Sequence, residues 1–208
     1  MADNLDPSGF YSLITSRRSI RRYQPAPLDR EVIDRLLNAA AWAPSAHNRQ
    51  PWRFAVVTGP EAKEQLASQM GARLRADRTR DGDPDDAIES DVRRSYTRIT
   101  SAPCVIVVCL TMDDMDVYPD ERRAAAEQLM AVQGVALAIQ NLLLAAAVEG
   151  LGACWMCAPL FCQETVAESL GLPASWQAQG LITLGYAASR GKEPVRRPID
   201  GLVVWKTE

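Results

Sequence analysis

Two periods of hydrophobic position divide this chain into elements. Ile33, Leu36, Leu37 and Ala40 recur at helical spacing behind Asp29, which is placed to cap a helix ending near 41. Phe10, Leu13 and Ile14 mark one face of a shorter helix over 9–17. Leu66, Met70 and Leu74 carry a third helix, opened by Pro60, a residue suited to the first helical turn. An acidic loop over 77–86 separates it from a helix over 87–100. The stretch 121–149 reads as one long helix, apolar nearly all round after Leu129. Gln133, Gln140 and Asn141 interrupt its apolar surface, which makes it a central core helix rather than a membrane span. Gly150 and Gly152 are expected to stop it, and a last helix follows over 163–170.

Continuous apolar runs between these helices predict strands over 54–57, 104–110, 153–157 and 179–186, with another in the tail over 202–205. The run CVIVVCL at 104–110 has no polar alternation and is expected to be buried on both faces. No internal repeat and no Gly-, Ser- or Pro-rich linker divides the chain, so 1–208 is read as a single domain.

The segment 43–54 (APSAHNRQPWRF) is unusual for a connection. Pro44 and Pro51 stiffen it at both ends, and Ser45, His47, Asn48 and Gln50 offer hydrogen-bonding groups in between. A stiff, polar-tipped loop held by core elements presents donors and acceptors in fixed positions, as a ligand site requires, although it could equally serve only to seat Trp52. The run 16–22 (SRRSIRR) is either a solvated basic face or an anion site, since arginine offers planar paired donors to a phosphate. A second basic pair, Arg196 and Arg197, stands in the tail.

Composition narrows the possibilities. A net charge of −3 argues against nucleic acid as a partner. Residues 1–8 lack an apolar leader and the five cysteines lack a disulfide-framework spacing, so a reducing cytoplasm is expected, with no membrane. His47 is the only histidine, and no base–nucleophile pair can be assembled around it. There is no GxGxxG or Walker pattern. No metal site is expected. Asp113, Asp114 and Asp116 read as capping groups before a helix, and a calcium loop from Asp81 fails at Asp86 and Val92, where it needs Gly and Glu. Cys154 and Cys157 stand three apart on a strand, hence on opposite faces, and read as core thiols rather than a redox pair. A chain with anion anchors but no acid–base machinery of its own points to a bound cofactor that carries the chemistry.

Together, Arg17-Arg18-Ser19-Ile20-Arg21, the loop Pro44-Ser45-Ala46-His47-Asn48-Arg49-Gln50-Pro51-Trp52, the stretch from Cys154 to Phe161 and Arg196-Arg197-Pro198 resemble the FMN-dependent nitroreductase-like oxidoreductases over nearly the whole chain. The resemblance implies an α+β fold, a mostly antiparallel central sheet wrapped by helices, and an intertwined homodimer with FMN at its interface. It implies that Arg17, Arg18, Ser19 and Arg21 approach the FMN phosphate and ribityl chain, with Arg196 and Arg197 closing from the tail. Pro44, Ser45, Ala46, Asn48 and Gln50 would reach the flavin from the other subunit. Met156, Cys157, Ala158, Pro159 and Leu160 would lie against the ring, with the Leu160 N–H as the donor to it because Pro159 has none. The implied activity is ping-pong transfer from NADH or NADPH to a small-molecule acceptor such as a nitroaromatic or quinone. A reductase of deazaflavin coenzyme maturation and a non-catalytic flavin carrier are the alternatives. The segments 71–100 and 111–123, with Tyr96, Tyr118 and Phe161, are expected to roof the acceptor pocket.

Overall fold

The computed structural model describes residues 6–207. Six α-helices surround one four-stranded sheet. They are α1 (Pro7–Ser16), α2 (Arg30–Ala41), α3 (Pro60–Arg80), α4 (Asp85–Thr100), α5 (Glu121–Val148) and α6 (Gln163–Leu170). The strands are β1 (Trp52–Val57), β2 (Cys104–Leu110), β3 (Leu151–Met156) and β4 (Gln177–Tyr186), arranged β1-β2-β4-β3 with every neighbouring pair antiparallel. This is the expected α+β architecture.

β2 lies near the centre because all seven of its residues are apolar and buried. Its pleat sends Cys104, Ile106, Val108 and Leu110 into a core shared with α2 and α5, whereas Val105, Val107 and Cys109 enter a second core shared with α3 and α6. Each fully buried Val, Leu or Ile contributes about 1.5–3 kcal/mol, so the sheet is held from both faces. α5 has the length and hydropathy of a membrane span, yet Val135, Ala138, Ile139, Leu142 and Ala146 are buried against the sheet. Its other face leaves Leu129, Leu137 and Val148 exposed.

Several local expectations are corrected. α3 continues to Arg80 because Asp77 belongs to it, paired with Arg73 one turn earlier. The acidic loop therefore shrinks to a turn at 81–84, where Gly82 adopts φ 81°, and α4 begins at Asp85. Asp29 occupies the α2 N-cap without a side-chain capping bond. The cap of α5 is Asp120, whose carboxylate accepts from the Arg123 N–H, while Asp114 and Asp116 pair with Arg53 and Arg49. Gly150 (φ 73°) follows the end of α5, but Gly152 lies inside β3. The segment 202–205 forms no strand: both sheet edges lie elsewhere and its apolar side chains stand exposed.

Gly152 has a packing role. A Cβ there would lie 2.7 Å from Ile20 Cγ2 and 2.8 Å from Ile20 Cβ, so the strand can receive the Ile20 side chain only as glycine. Gly152→Ala is expected to destabilise the protein by about 1–3 kcal/mol through this overpacking, read as a lowered midpoint in urea unfolding. An unchanged midpoint would mean that the Arg17–Arg21 segment is not held against β3.

Candidate functional site

The basic run is pinned to the sheet as an extended segment. The Ile20 N–H donates to the Ala153 carbonyl at 3.0 Å, the Gln24 N–H to Tyr186 O at 2.8 Å, and the Ala188 N–H to Arg22 O at 3.0 Å. The Tyr23 hydroxyl lies 2.5 Å from Ile20 O and 2.7 Å from Thr183 Oγ1, deep enough that burial raises its pKa. Ile20 is buried, and its neighbours Ser19 and Arg21 therefore face away from it. Arg18 folds back instead, donating to the Thr15 carbonyl at 2.6 Å, where a cation complements the C-terminal end of α1.

This places three guanidinium groups around the middle of β3. Burial pushes the Cys154 thiol pKa up, and Arg21, Arg98 and Arg17 act on it in the opposite direction in that order. Among the described residues, none of these three arginines is in an ion pair, whereas Arg30, Arg35, Arg53, Arg75, Arg78 and Arg123 each hold a carboxylate. Acidic residues outnumber basic ones, so a shortage of partners is not the cause. Sequence reasoning passed over Arg98, which sits on α4. Its spacing from the basic run, 77 positions from Arg21, carries no local signal. It likewise passed over Tyr23 and the packing of Gly152.

Arg21 and Arg98 share a cleft of about 350 Å³ with Trp155, Met156, Cys157 and Ala158, so the basic run and the stretch after β3 do come together. β3 ends at Met156, Cys157 is exposed beyond it, and a 3₁₀ turn covers Ala158–Phe161. The Leu160 N–H donates to the Cys157 carbonyl at 3.0 Å, so the donor expected to face the ring is already engaged in the turn. Pro159 is buried. A smaller apolar cavity of about 100 Å³, lined in part by Met70, Leu74, Ala158 and Phe161, adjoins it. Tyr96 packs into the second core, and Tyr118 lies under the Arg123 guanidinium, 5.1 Å from its ring centre.

The stiff loop lies elsewhere. His47, Asn48 and Gln50 have φ of 49°, 54° and 51°, left-handed values that cost a non-glycine residue about 1–3 kcal/mol each. Ser45 Oγ accepts from the Gln50 N–H at 3.0 Å, and the Pro51 carbonyl accepts from Thr111 N–H at 2.9 Å. The loop closes on α5 at Gly134, where a Cβ would already touch Ser45 and Pro51 at 3.4 and 3.5 Å. Arg17 and Arg18 of the basic run line a cavity of about 470 Å³ with Leu143 and Ala147 of α5. At 1.5 Å per residue these positions are about 14–20 Å apart along the helix, and β1 and β3 are three strands apart across the sheet, about 14 Å. One chain therefore does not bring Pro44, Ser45, Ala46, Asn48 and Gln50 to Arg17, Ser19 and Arg21. Arg196 and Arg197 are exposed and line none of these clefts; the tail meets the basic run through Arg190 and Gly191, which share a cavity with Arg17 and Arg18.

The family model described as the nitroreductase family matches residues 14–186. The chain belongs to the nitroreductase family. NADH dehydrogenase of Thermus thermophilus is 28% identical over 214 positions, covering 91% of this chain and 92% of that protein. A Bacillus subtilis protein assigned as an NAD(P)H nitroreductase is 28% identical over 232 positions, covering 95% and 97%. The solved structure of a Desulfovibrio desulfuricans protein assigned as a nitroreductase, in complex with FMN, matches with a TM-score of 0.73 at 27% identity over 99% of both chains. A nitroreductase-like family protein from Bacillus cereus matches with a TM-score of 0.75 over 100% of both chains. At 21% identity that likeness is one of fold.

Within this nitroreductase fold the thiols differ sharply in reach. Burial pushes Cys104 and Cys109 up to about 12 and raises Cys154 and Cys162 as well, and all four are enclosed, while Cys157 is exposed. One thiol per chain, Cys157, is expected to react rapidly with a maleimide in flavin-free protein, and all five after denaturation. Rapid labelling of a second thiol would contradict the described burial.

Proposed function

We propose that this protein is an FMN-dependent NAD(P)H oxidoreductase whose active site is completed by a second copy of the chain. The observation that carries this reading is the pair of unpaired cations Arg21 and Arg98, which share a cleft with Trp155, Met156, Cys157 and Ala158. The residues fit the cofactor. Arg17 and Ser19 would hold its phosphate, and Arg21 and Arg98 would lie along the electron-poor edge of the ring, where negative charge accumulates on reduction. Bound FMN would supply the redox chemistry, the transfer of two electrons from NADH or NADPH to a nitroaromatic, quinone or similar conjugated acceptor.

The chain's own residues bind, orient and exclude water. Met156, Cys157 and Ala158 form the wall against which a flat ring can rest. Met70, Leu74 and Phe161 give the adjoining cavity an apolar lining suited to an aromatic acceptor. The strained loop supplies Asn48 and Gln50 from the other subunit, since within one chain it stands too far away. Dimerisation is supported by apolar surface that a lone chain leaves in water: Phe10 and Tyr11 on α1, Leu129 and Leu137 on α5, and Val204 and Trp205 in the tail. A symmetric pair buries each such surface twice, and the exposed tail, with Arg196 and Arg197, would close over the partner's site. Five unpaired cysteines accord with a cytoplasmic setting.

The purified protein is expected to bind FMN with a yellow flavin spectrum that bleaches when NADH or NADPH is added without oxygen. Charge-assisted hydrogen bonds are worth roughly 1.5–3 kcal/mol, so Arg21→Ala should weaken FMN binding by about tenfold or more. Bound flavin that no nicotinamide bleaches would make the protein a carrier. Protein unable to take up FMN would overturn the reading altogether.

A further inference from the structure

A second basic surface adjoins the site, shares Arg21 and Arg98 with it, and extends beyond it. Ser90, Arg94 and Thr97 recur along one stripe of α4, continued by Ser101 just past its end and flanked by Arg93 and Arg98, and this stripe faces Arg21, Arg22 and Tyr23 across an open cleft of about 810 Å³ that Lys192 joins from the tail. Six of the residues lining it are cationic and none is acidic. Only Arg94 has a carboxylate partner, Asp91. Among the described residues Arg21, Arg22, Arg93, Arg98 and Lys192 are in no ion pair. Cations at this spacing repel one another by an amount that solvent and salt only partly remove, and a bound polyanion reverses the sign of that interaction. Ser90, Thr97 and Ser101 add neutral hydroxyl donors among them. The cleft also shares Arg21, Arg94 and Arg98 with the ring cleft, so anything seated in it is continuous with whatever lies over the ring.

We infer that this cleft binds the phosphorylated adenosine half of the hydride donor, and that Arg22 and Arg93 recognise its ribose phosphate, making the enzyme selective for NADPH over NADH. The inference rests on the oxidoreductase reading above. A nicotinamide stacked on the ring must lead its diphosphate and adenosine out of the ring cleft, and the contiguous trough of about 810 Å³ is of the opposite charge. Arg17 and Ser19 lie on the β3 side of Arg21 and leave this trough free for a second ligand. NADH lacks the ribose phosphate, so it forgoes the contacts to Arg22 and Arg93 while keeping those to its diphosphate.

Anaerobic stopped-flow reduction of the bound FMN by NADPH and by NADH, in the parent and in Arg22→Ser/Arg93→Ser, tests this. The parent is expected to favour NADPH at least about tenfold in kcat/KM, and the double variant to lose most of that preference through KM. Calorimetry with 2′,5′-ADP and with 5′-AMP provides a readout independent of turnover. The bisphosphate should bind the parent more tightly, with the difference lost in the variant and weakened by added salt. Flavin content and FMN affinity should stay within about threefold of the parent. A parent that reduces equally well with either nucleotide, or a preference that survives both substitutions, overturns the inference while leaving the flavin reading intact. If FMN affinity itself falls tenfold, the cleft belongs to the cofactor's phosphate. If only the oxidative half-reaction with the acceptor slows, the cleft holds an anionic acceptor, and either result overturns the inference. Failure of either nucleotide to bleach the flavin would strike the underlying reading instead.

Discussion

The structure depends on how Ser19–Gln24 is fastened beside β3. The Ile20 side chain fills the space that Gly152 leaves, its N–H joins the sheet through Ala153, and Tyr23 anchors the next turn of chain through Thr183. A segment with this density of guanidinium groups would otherwise extend into water, where like charges separate. Fastened, it keeps Arg17 and Arg21 on one side and brings Arg98 of α4 against them across Cys154. The cost of that unneutralised cluster is carried by the packing of Ile20 and the burial of Tyr23. The cluster is then poised for an anion, and the two clefts that share Arg21 and Arg98 give it more than one place to act.

The constraint explains an asymmetry in the molecule. Elsewhere many of the helix arginines, Arg30, Arg35 and Arg75 among them, are paired with carboxylates on the surface, where each pair contributes little to stability but offsets its own charge. At the β3 edge the field is retained. On the far side of the sheet the second polar feature, the loop carrying His47, Asn48 and Gln50 in left-handed conformations, is strained by several kcal/mol and braced by Ser45, Pro51 and Gly134. On the proposed reading neither feature completes a site alone. α5 separates them, and on the same reading its exposed face, with Leu129 and Leu137, is where a second copy would meet it.

Much of the architecture was legible because the strongest signals are local. The unbroken apolar run of β2, the period of α2 and α5, and the limits of α6 follow from patterning that tertiary contacts reinforce. The acidic stretch after Leu74 misled because Asp77 is held inside α3 by Arg73, an i,i+4 pairing that composition alone reads as loop. The 202–205 run has strand composition but no free edge in its own chain to pair with. At the site, the arginine run, the stiff loop and the stretch after β3 stood out by residue type. Arg98 did not, because its proximity to Arg21 arises only when α4 packs across the sheet. Leu160 failed as a free donor because the 3₁₀ turn consumes its N–H, a detail set by the turn rather than by proline placement.

The central claim is that the arginines of one chain and the loop of another form a single FMN site. Co-expression of two variants, Asn48→Asp/Gln50→Glu and Arg17→Glu/Arg21→Glu, followed by isolation of the mixed dimer, tests it most directly. Each homodimer carries a defect in both sites and should be flavin-poor. In the mixed dimer both defects fall into one site and the other is intact, so the account predicts one FMN per dimer, reduced by nicotinamide at the parent's rate per bound flavin. A mixed dimer as flavin-poor as its parents, or an active monomer, would contradict it.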